Sequence, residues 1–387
     1  MTTYAGPWVW HVDLDQFIAA VEVRRRPELA GLPLVVGGRG DPTERGVVST
    51  ASYEARTFGV GSGMPLRVAA RRCPDAIFLP VDKPAYDAAS VEVMDALRSQ
   101  RLLGSAVLVQ VLGWDEAFVA LADATLPVTE PRELAQSLRA GVHTATGLLC
   151  SVGIGDNKLR AKIATGFGKP SREHPPGSNV GVGQLTAEDW FEVMGERPTQ
   201  ALWGIGRQTA KRLAALGIGS VQQLADADVV VLAAEIGPTM GPWLHRLAQG
   251  IDNARVDPAP YVPVAHGREE TYQSDLEDWD VVRLELRALA HRVVLDIDAE
   301  SRPARRVGIK VRFRTFTTLT PSLTLAEPSS DPELIAGAAE SLLERIESRA
   351  PVRLLGVRLE MVAAPTDALG DFAPGRRDPG SFHAGST

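Results

Sequence analysis

The sequence predicts an α+β protein of several domains. Three observations lead there. Helical and strand-like segments alternate up to about residue 170, with the strands set in hairpins. Short helices then largely replace the strands, and a proline-rich stretch separates a last segment that has strand patterning of its own. At 387 residues the chain is also too long for one ordinary core of ~100–200 residues.

In chain order, WVWHVDLD reads as a buried strand ending in acids, and DQFIAAVEVRR as a helix with Phe17 and Val21 at helical spacing. LPLVVGG and GVVST are short strands on either side of the turn-rich GDPTERG, and Tyr53 to Phe58 is a short helix closed by Gly59. Helix YDAASVEVMDALR, strand pair AVLVQVLGWDEAFVAL, helix PRELAQSLRAGVHTAT, strand LLCSVGIG and helix NKLRAKIATGF follow. This alternation implies a sheet covered on one face. Short helices around LWGIGRQTAKRLAALGI fill the chain to about 245. Three prolines in the eight residues from Asp257 mark a linker. A separate α/β unit at about 263–365 carries the strands RRVGIKVRFRTF and RLLGVRLEMV. The Gly-, Pro- and Asp-rich chain from Pro365 predicts a disordered tail.

Hydrophobic residues at 44% and charged residues at 23% are globular values. With no apolar run of ~18 residues and no basic leader, the expectation is a cytoplasmic protein without a membrane segment. Cys73 and Cys150 are the only cysteines, so neither a disulfide framework nor a zinc site is indicated. A net charge of −7 argues against an indiscriminate basic coat, and any grip on nucleic acid must be local. Nothing demands more than a monomer.

Asp13 and Asp15 close the first strand, and Asp115 with Glu116 follows about a hundred residues later beside Gly113 in a hairpin. Acids at neighbouring strand ends are what hard divalent cations require. Adjacent strand residues point to opposite faces, so Asp115 and Glu116 can share a site only if the backbone turns or bulges there. Alone, each fragment is a weak signal and reads more readily as solvated loop acids. TASYEAR puts Thr50 at or just before a helix start with Tyr53 and Arg56 on one face, a hydroxyl, a phenol and a guanidinium suited to a triphosphate. Lys169, just after a helix in GFGKP, adds a cation.

HVDLDQFIAAVE, TASYEARTFGVGSGMPL, GWDEAF and SVGIGDNKLRAKIATGFGKP, in this order and spacing, together resemble the palm and fingers of Y-family DNA polymerases, specifically the bacterial DNA polymerase IV (DinB) branch. The similarity runs over about residues 8 to 365. It implies a right-hand polymerase: palm at 1–20 and 79–170, fingers at 21–78, a helical thumb at 171–245, a linker at 246–262, a C-terminal α/β little finger at 263–365 and a tail at 366–387. It implies a translesion enzyme that adds dNTPs to a primer 3′-hydroxyl on template DNA, with pyrophosphate release and low fidelity. Asp13, Asp115, Glu116 and the carbonyl of Leu14 match ligands for two Mg²⁺ ions, with Mn²⁺ as a substitute. Thr50, Tyr53, Arg56 and Lys169 match the groups that hold the incoming triphosphate, with Phe17 and Ile18 beside the nucleotide. Asp15 is read as supporting the metal site without binding the ions.

Two positions depart from the family. It usually has an aromatic residue five positions after the first acid, where the ring excludes a 2′-hydroxyl; here that residue is Ile18. The expectation is use of rNTPs beside dNTPs, similar to mycobacterial paralogues of the branch. The alternative is that Ile18 packs under the sugar and still excludes them. Trp114 stands where many relatives have a small or aliphatic residue, and is read as packing.

For holding DNA, Gly204 and Gly206 resemble a helix-hairpin-helix turn whose backbone N–H groups approach a phosphate. Lys310, Arg312 and Arg314 alternate with Ile309, Val311 and Phe313, a one-sided cationic ladder on a strand, with Arg305 and Arg306 nearby. ALGDF around Phe372 lacks the glutamine-led pattern of a sliding-clamp peptide, and clamp binding through it is not expected. A metal-dependent nuclease would use the acids and the hairpin but not the triphosphate set. A silent DNA-binding scaffold would not need all three acids.

Overall fold

The computed structural model describes residues 8–170 and 181–363. The expected tail and the Phe372 segment lie outside the described residues. The elements run β1 (Val9–Leu14), α1 (Phe17–Arg25), β2 (Leu34–Val36), β3 (Thr50–Ala51), α2 (Tyr53–Thr57), α3 (Leu66–Arg72), β4 (Ile77–Leu79), α4 (Lys83–Ser99), β5 (Arg101–Leu102), β6 (Ser105–Val111) and β7 (Glu116–Leu121). Then come α5 (Pro131–Thr146), β8 (Cys150–Gly155), α6 (Lys158–Gly168), β9 (Val182–Leu185), α7 (Trp190–Met194), α8 (Arg207–Ala215), α9 (Val221–Ala225), α10 (Val229–Ile236) and α11 (Met240–Ala248). The chain continues with β10 (Ala265–Leu276), α12 (Trp279–Ala299), β11 (Ala304–Phe313), β12 (Thr318–Leu319), β13 (Ser322–Ser329), α13 (Pro332–Glu344) and β14 (Val352–Met361). None of the described helices is long and apolar enough to cross a membrane. By compactness the chain divides into two units, one drawn from the chain up to Gly31 with Pro84–Pro260, the other from Leu32–Lys83 and the chain from Tyr261.

The first unit is built on a six-stranded sheet ordered β5-β6-β7-β1-β8-β9. β1 lies between β7 and β8, antiparallel to both, which explains why its residues read as a buried run. Helices cover both faces, where the alternation implied one. Alternation along β1 turns Trp10 and Val12 one way and His11 and Asp13 the other. Trp10 Nε1 donates to the Pro131 carbonyl at the start of α5 (3.0 Å), whereas His11 Nδ1 lies 2.8 Å from Thr165 Oγ1 of α6. β9, parallel to β8, also carries the sheet past residue 170, where strands were expected largely to give out. Short helices α7 to α11 pack around Trp190, Leu213, Leu224, Leu232 and Leu244, all essentially buried.

Glycine makes the seat of α6. A Cβ on Gly153 of β8 would lie 2.0 Å from the Ala161 carbonyl oxygen and 2.3 Å from the Thr165 nitrogen, so the helix backbone rests directly on the strand. Gly153→Ala is expected to cost about 3 kcal/mol, because it is backbone that must move; urea denaturation with an unchanged midpoint would contradict this.

In the second unit, a three-stranded sheet ordered β3-β2-β4 packs with α2 and α3 around Val35, Val48, Ala55, Leu66 and Cys73. A larger sheet runs β10-β14-β11-β12, with β13 also on β11. Its core face meets α12 and α13. Along α12, Val282, Leu286, Leu289, Val293 and Ile297 recur at helical spacing and are buried, each contributing ~1.5–3 kcal/mol. Asp278 and Asp331 cap the two helices, their side chains accepting from the N–H groups of Asp280 and Glu333. Both cysteines are buried and free.

Candidate active site

β1 and β7 bring the distant acids together. In their antiparallel register Asp13 stands opposite Glu116, and the Leu14 N–H donates to the Asp115 carbonyl at 2.8 Å. Asp115 lies in a tight turn, not in the strand: β7 begins at Glu116, whose carbonyl accepts from the N–H groups of both Leu112 and Gly113. The turn breaks the two-residue alternation and folds both side chains over Gly113. A Cβ there would meet Asp115 Oδ1 at 3.8 Å and Glu116 Cγ at 3.9 Å.

Each acid has its own electrostatic setting. Burial, then the charges of Asp13 and Glu116, raise Asp115 to about 6, with Lys169 opposing. Burial would raise Glu116 too, but the His11 hydrogen bond and the Lys162 charge outweigh it and hold the carboxyl at about 2. Asp13 Oδ1 accepts from Lys169 Nζ at 2.5 Å, and Glu116 is ion-paired with Lys162. Among the described residues no three Asp, Glu, His or Cys side chains close around a common point as a metal cage. The donor chemistry nevertheless fits a hard divalent cation: three carboxylate residues stand at one strand end, one is raised by burial and by the charges of the other two, and lysines offset the charge.

Asp15 is turned away from this group, its carboxylate accepting from Ser151 Oγ at 2.8 Å. Trp114 is anchored to α4, with Nε1 donating to Asp87 Oδ1 at 2.8 Å and the ring edge-on to Tyr86. That agrees with a packing role. Phe17 and Ile18 are buried in the first turn of α1, which follows Gln16 in the left-handed region (φ 44°). Lys169 sits at the C-cap of α6, where its N–H donates to the Thr165 carbonyl.

In the second unit, Thr50 opens β3 and Ser52 caps α2. Tyr53 and Arg56 share a face as their spacing implied: the guanidinium lies 4.9 Å from the ring centroid and its Nε donates to the Ala51 carbonyl.

Gly204 adopts φ 100°, a conformation that favours glycine, and a Cβ there would come 2.8 Å from the end of the Trp243 ring. Gly206 is the N-cap of α8, and with Arg207, Gln208, Thr209 and Lys211 it lines a shallow depression.

The cationic ladder needs correction. Ile309, Val311 and Phe313 are in the core as expected, but Arg314 falls beyond the end of β11. The sequence also did not reveal that acids of β10 and its C-terminal end engage two of the cations: Lys310 pairs with Glu269 (2.7 Å), and Arg314 with Asp275 (2.8 Å) and Glu277 (2.9 Å). Arg312 Nε instead donates to Thr318 Oγ1 at 2.9 Å. Arg353, missed from sequence, is lowered from its ordinary value first by burial and then by the charges of Arg45, Arg67 and Arg312, with Asp275 opposing. His11 and Lys162 were missed as well. His11 had a signal, since it stands two residues before Asp13 on the same strand face.

Residues 12–166 match the impB/mucB/samB family, residues 263–369 its C-terminal domain, and residues 200–252 the thumb domain of DNA polymerase iota. The chain is 48% identical over 362 residues to DNA polymerase IV 2 of Mycobacterium tuberculosis, covering 93% of this chain and 100% of that one. It is 40% identical over 358 residues to DNA polymerase IV of Methanoculleus marisnigri, covering 92% and 94%. Among solved structures it resembles a Y-family DNA polymerase chimera (TM-score 0.79, 26% identity, covering 92% and 100%) and an insertion ternary complex of Dbh DNA polymerase (TM-score 0.61, 26% identity, covering 92% and 100%). The right-hand architecture of palm, fingers, thumb and little finger follows from these matches, and the chain belongs to the Y-family DNA polymerases, in their DNA polymerase IV (DinB) branch.

Proposed function

We propose that this DNA-directed DNA polymerase works as a translesion enzyme whose chemistry is centred on Asp13, Asp115 and Glu116. One observation carries the reading: the register of β1 on β7 and the turn at Gly113 gather three acids from distant parts of the chain at one strand end. These acids and the Leu14 carbonyl would hold two Mg²⁺ ions, or Mn²⁺ in their place. When bound, such ions supply Lewis acidity to the attacking 3′-hydroxyl and the leaving pyrophosphate.

The remaining work falls to the chain itself. Thr50, Tyr53, Arg56 and Lys169 hold the triphosphate by hydroxyl, phenol and cationic groups. Lys169, paired here with Asp13, would exchange that carboxylate for a phosphate oxygen when a nucleotide binds. Gly204 and Gly206 admit a DNA backbone to the N–H groups that begin α8, and Lys310, Arg312 and Arg314 hold the duplex at the little finger. We assign palm, fingers, thumb and little finger to the segments that the resemblance implies, except that β9, in the segment expected to be thumb, extends the palm sheet. Template-directed primer extension that needs dNTPs, a divalent cation and an intact Asp115, and that passes a lesion with frequent misincorporation, is the expected result. Cleavage of the same DNA without dNTPs would point to a nuclease instead.

The ladder residue without an acidic partner on β10 gives a separate expectation. Arg312→Ala should weaken DNA binding alike on all sequences and reduce the slope of log K against log salt by about 1. Fluorescence anisotropy over a salt series reads this, and an unchanged slope would remove Arg312 from the DNA-contacting set.

A further inference from the structure

Lys162 of α6 belongs to neither the nucleotide set nor the DNA set, yet it faces the acids. Its ammonium is ion-paired with Glu116 Oε2, stands 3.2 Å from His11 Nε2 and lies 5.4 Å from the centroid of the Trp203 ring. His11 Nε2 is itself 3.4 Å from the same Glu116 oxygen, and Thr165 Oγ1 lies 2.8 Å from the other ring nitrogen. Glu116 is therefore held by groups of β1 and α6, while Lys162 has a second partner in an aromatic face. An ordinary surface ion pair requires neither a buried imidazole nor a ring beside it.

A divalent cation on Glu116 and the Lys162 ammonium draw on the negative charge of the same carboxylate. Positive charges at such spacing repel, so the two compete. Resting on the reading that Asp13, Asp115 and Glu116 hold divalent cations, we propose that Lys162 is a positioning residue, the resident counter-ion of Glu116. It keeps the carboxylate oriented before a cation arrives and sets the cation concentration at which the site fills. The Trp203 ring lets the ammonium give up the carboxylate without losing every partner.

The test is Mn²⁺ binding to the full-length protein without DNA or nucleotide, read from the electron paramagnetic resonance signal of free Mn²⁺. Wild type is compared with Lys162→Met, Lys162→Arg and Asp115→Asn. Lys162→Met should bind roughly fivefold more tightly at the acid-dependent site, because a competing charge worth about 1 kcal/mol is gone. Lys162→Arg, which keeps the charge, should match wild type. Unchanged or weaker binding by Lys162→Met, or equal tightening in the Met and Arg variants, would overturn the proposal. If Asp115→Asn binds Mn²⁺ as well as wild type, the assignment of the acids fails instead. Lys162→Gln carries the same expectation as Met and replaces it should the Met variant lose the wild-type near-ultraviolet circular dichroism.

Discussion

Asp115→Asn is expected to lower primer extension by about a thousandfold or more while making the protein more stable near neutral pH. The two effects have one origin. Burial and the charges of Asp13 and Glu116 lift this carboxyl from 3.8 to about 6. An unfolded chain ionises it near its ordinary value, so between those values the folded chain holds the proton more tightly. The favourable contribution of Asp115 is thus complete below pH ~4 and is lost as pH rises through about 6. Above that, its charge costs the folded state about 2–3 kcal/mol. Asn keeps the shape and removes the charge. Thermal unfolding at pH 7.5 should therefore shift upward by about 2–6 °C, with the gap narrowing towards pH 4. Mg²⁺ should raise the wild-type Tm and leave the variant's unchanged. A variant both inactive and less stable would make Asp115 a structural residue.

Ile18→Phe is expected to reduce incorporation of ribonucleotides relative to deoxyribonucleotides by about a hundredfold, chiefly by lowering kcat/KM for the former. Ile18 is buried in the first turn of α1, five positions after Asp13, so a bulkier ring must claim space at the spot the family resemblance puts against the sugar. The added volume brings an overpacking cost of about 1–3 kcal/mol, and Tm must be read alongside the kinetics. Comparison of dNTP and rNTP on one primer-template, in both proteins, is the measurement. Equal ratios would mean that Ile18 already excludes the 2′-hydroxyl and that sugar choice is made elsewhere.

Legibility differed from element to element. Alternation of Val307, Ile309, Val311 and Phe313 reports the core face of β11 because side-chain direction repeats every two residues, whatever lies opposite. The pairing of Asp115 with Glu116 needed a turn, and Gly113 was its only trace. β9 leaves no legible mark in the sequence because its four residues, Val182–Leu185, are too few for a periodic signal. Coverage of the main sheet on both faces escaped notice because the same alternation of helices and strands serves either arrangement. The acids of β10 were overlooked because nothing in their own neighbourhood announces a partner some 40 residues on, as with Glu269 and Lys310, 41 apart.

By itself the sequence determined the family and the order of helices and strands through the main sheet up to about residue 170, and it singled out the acids as candidates, since periodicity and motif spacing are local properties of the chain. Tertiary structure decided which charges are already engaged: Lys169 with Asp13 across 156 residues, Lys162 with Glu116 across 46. An ion pair depends on separation in space, and that separation is set by strand register and by the glycines that let α6 settle onto the sheet.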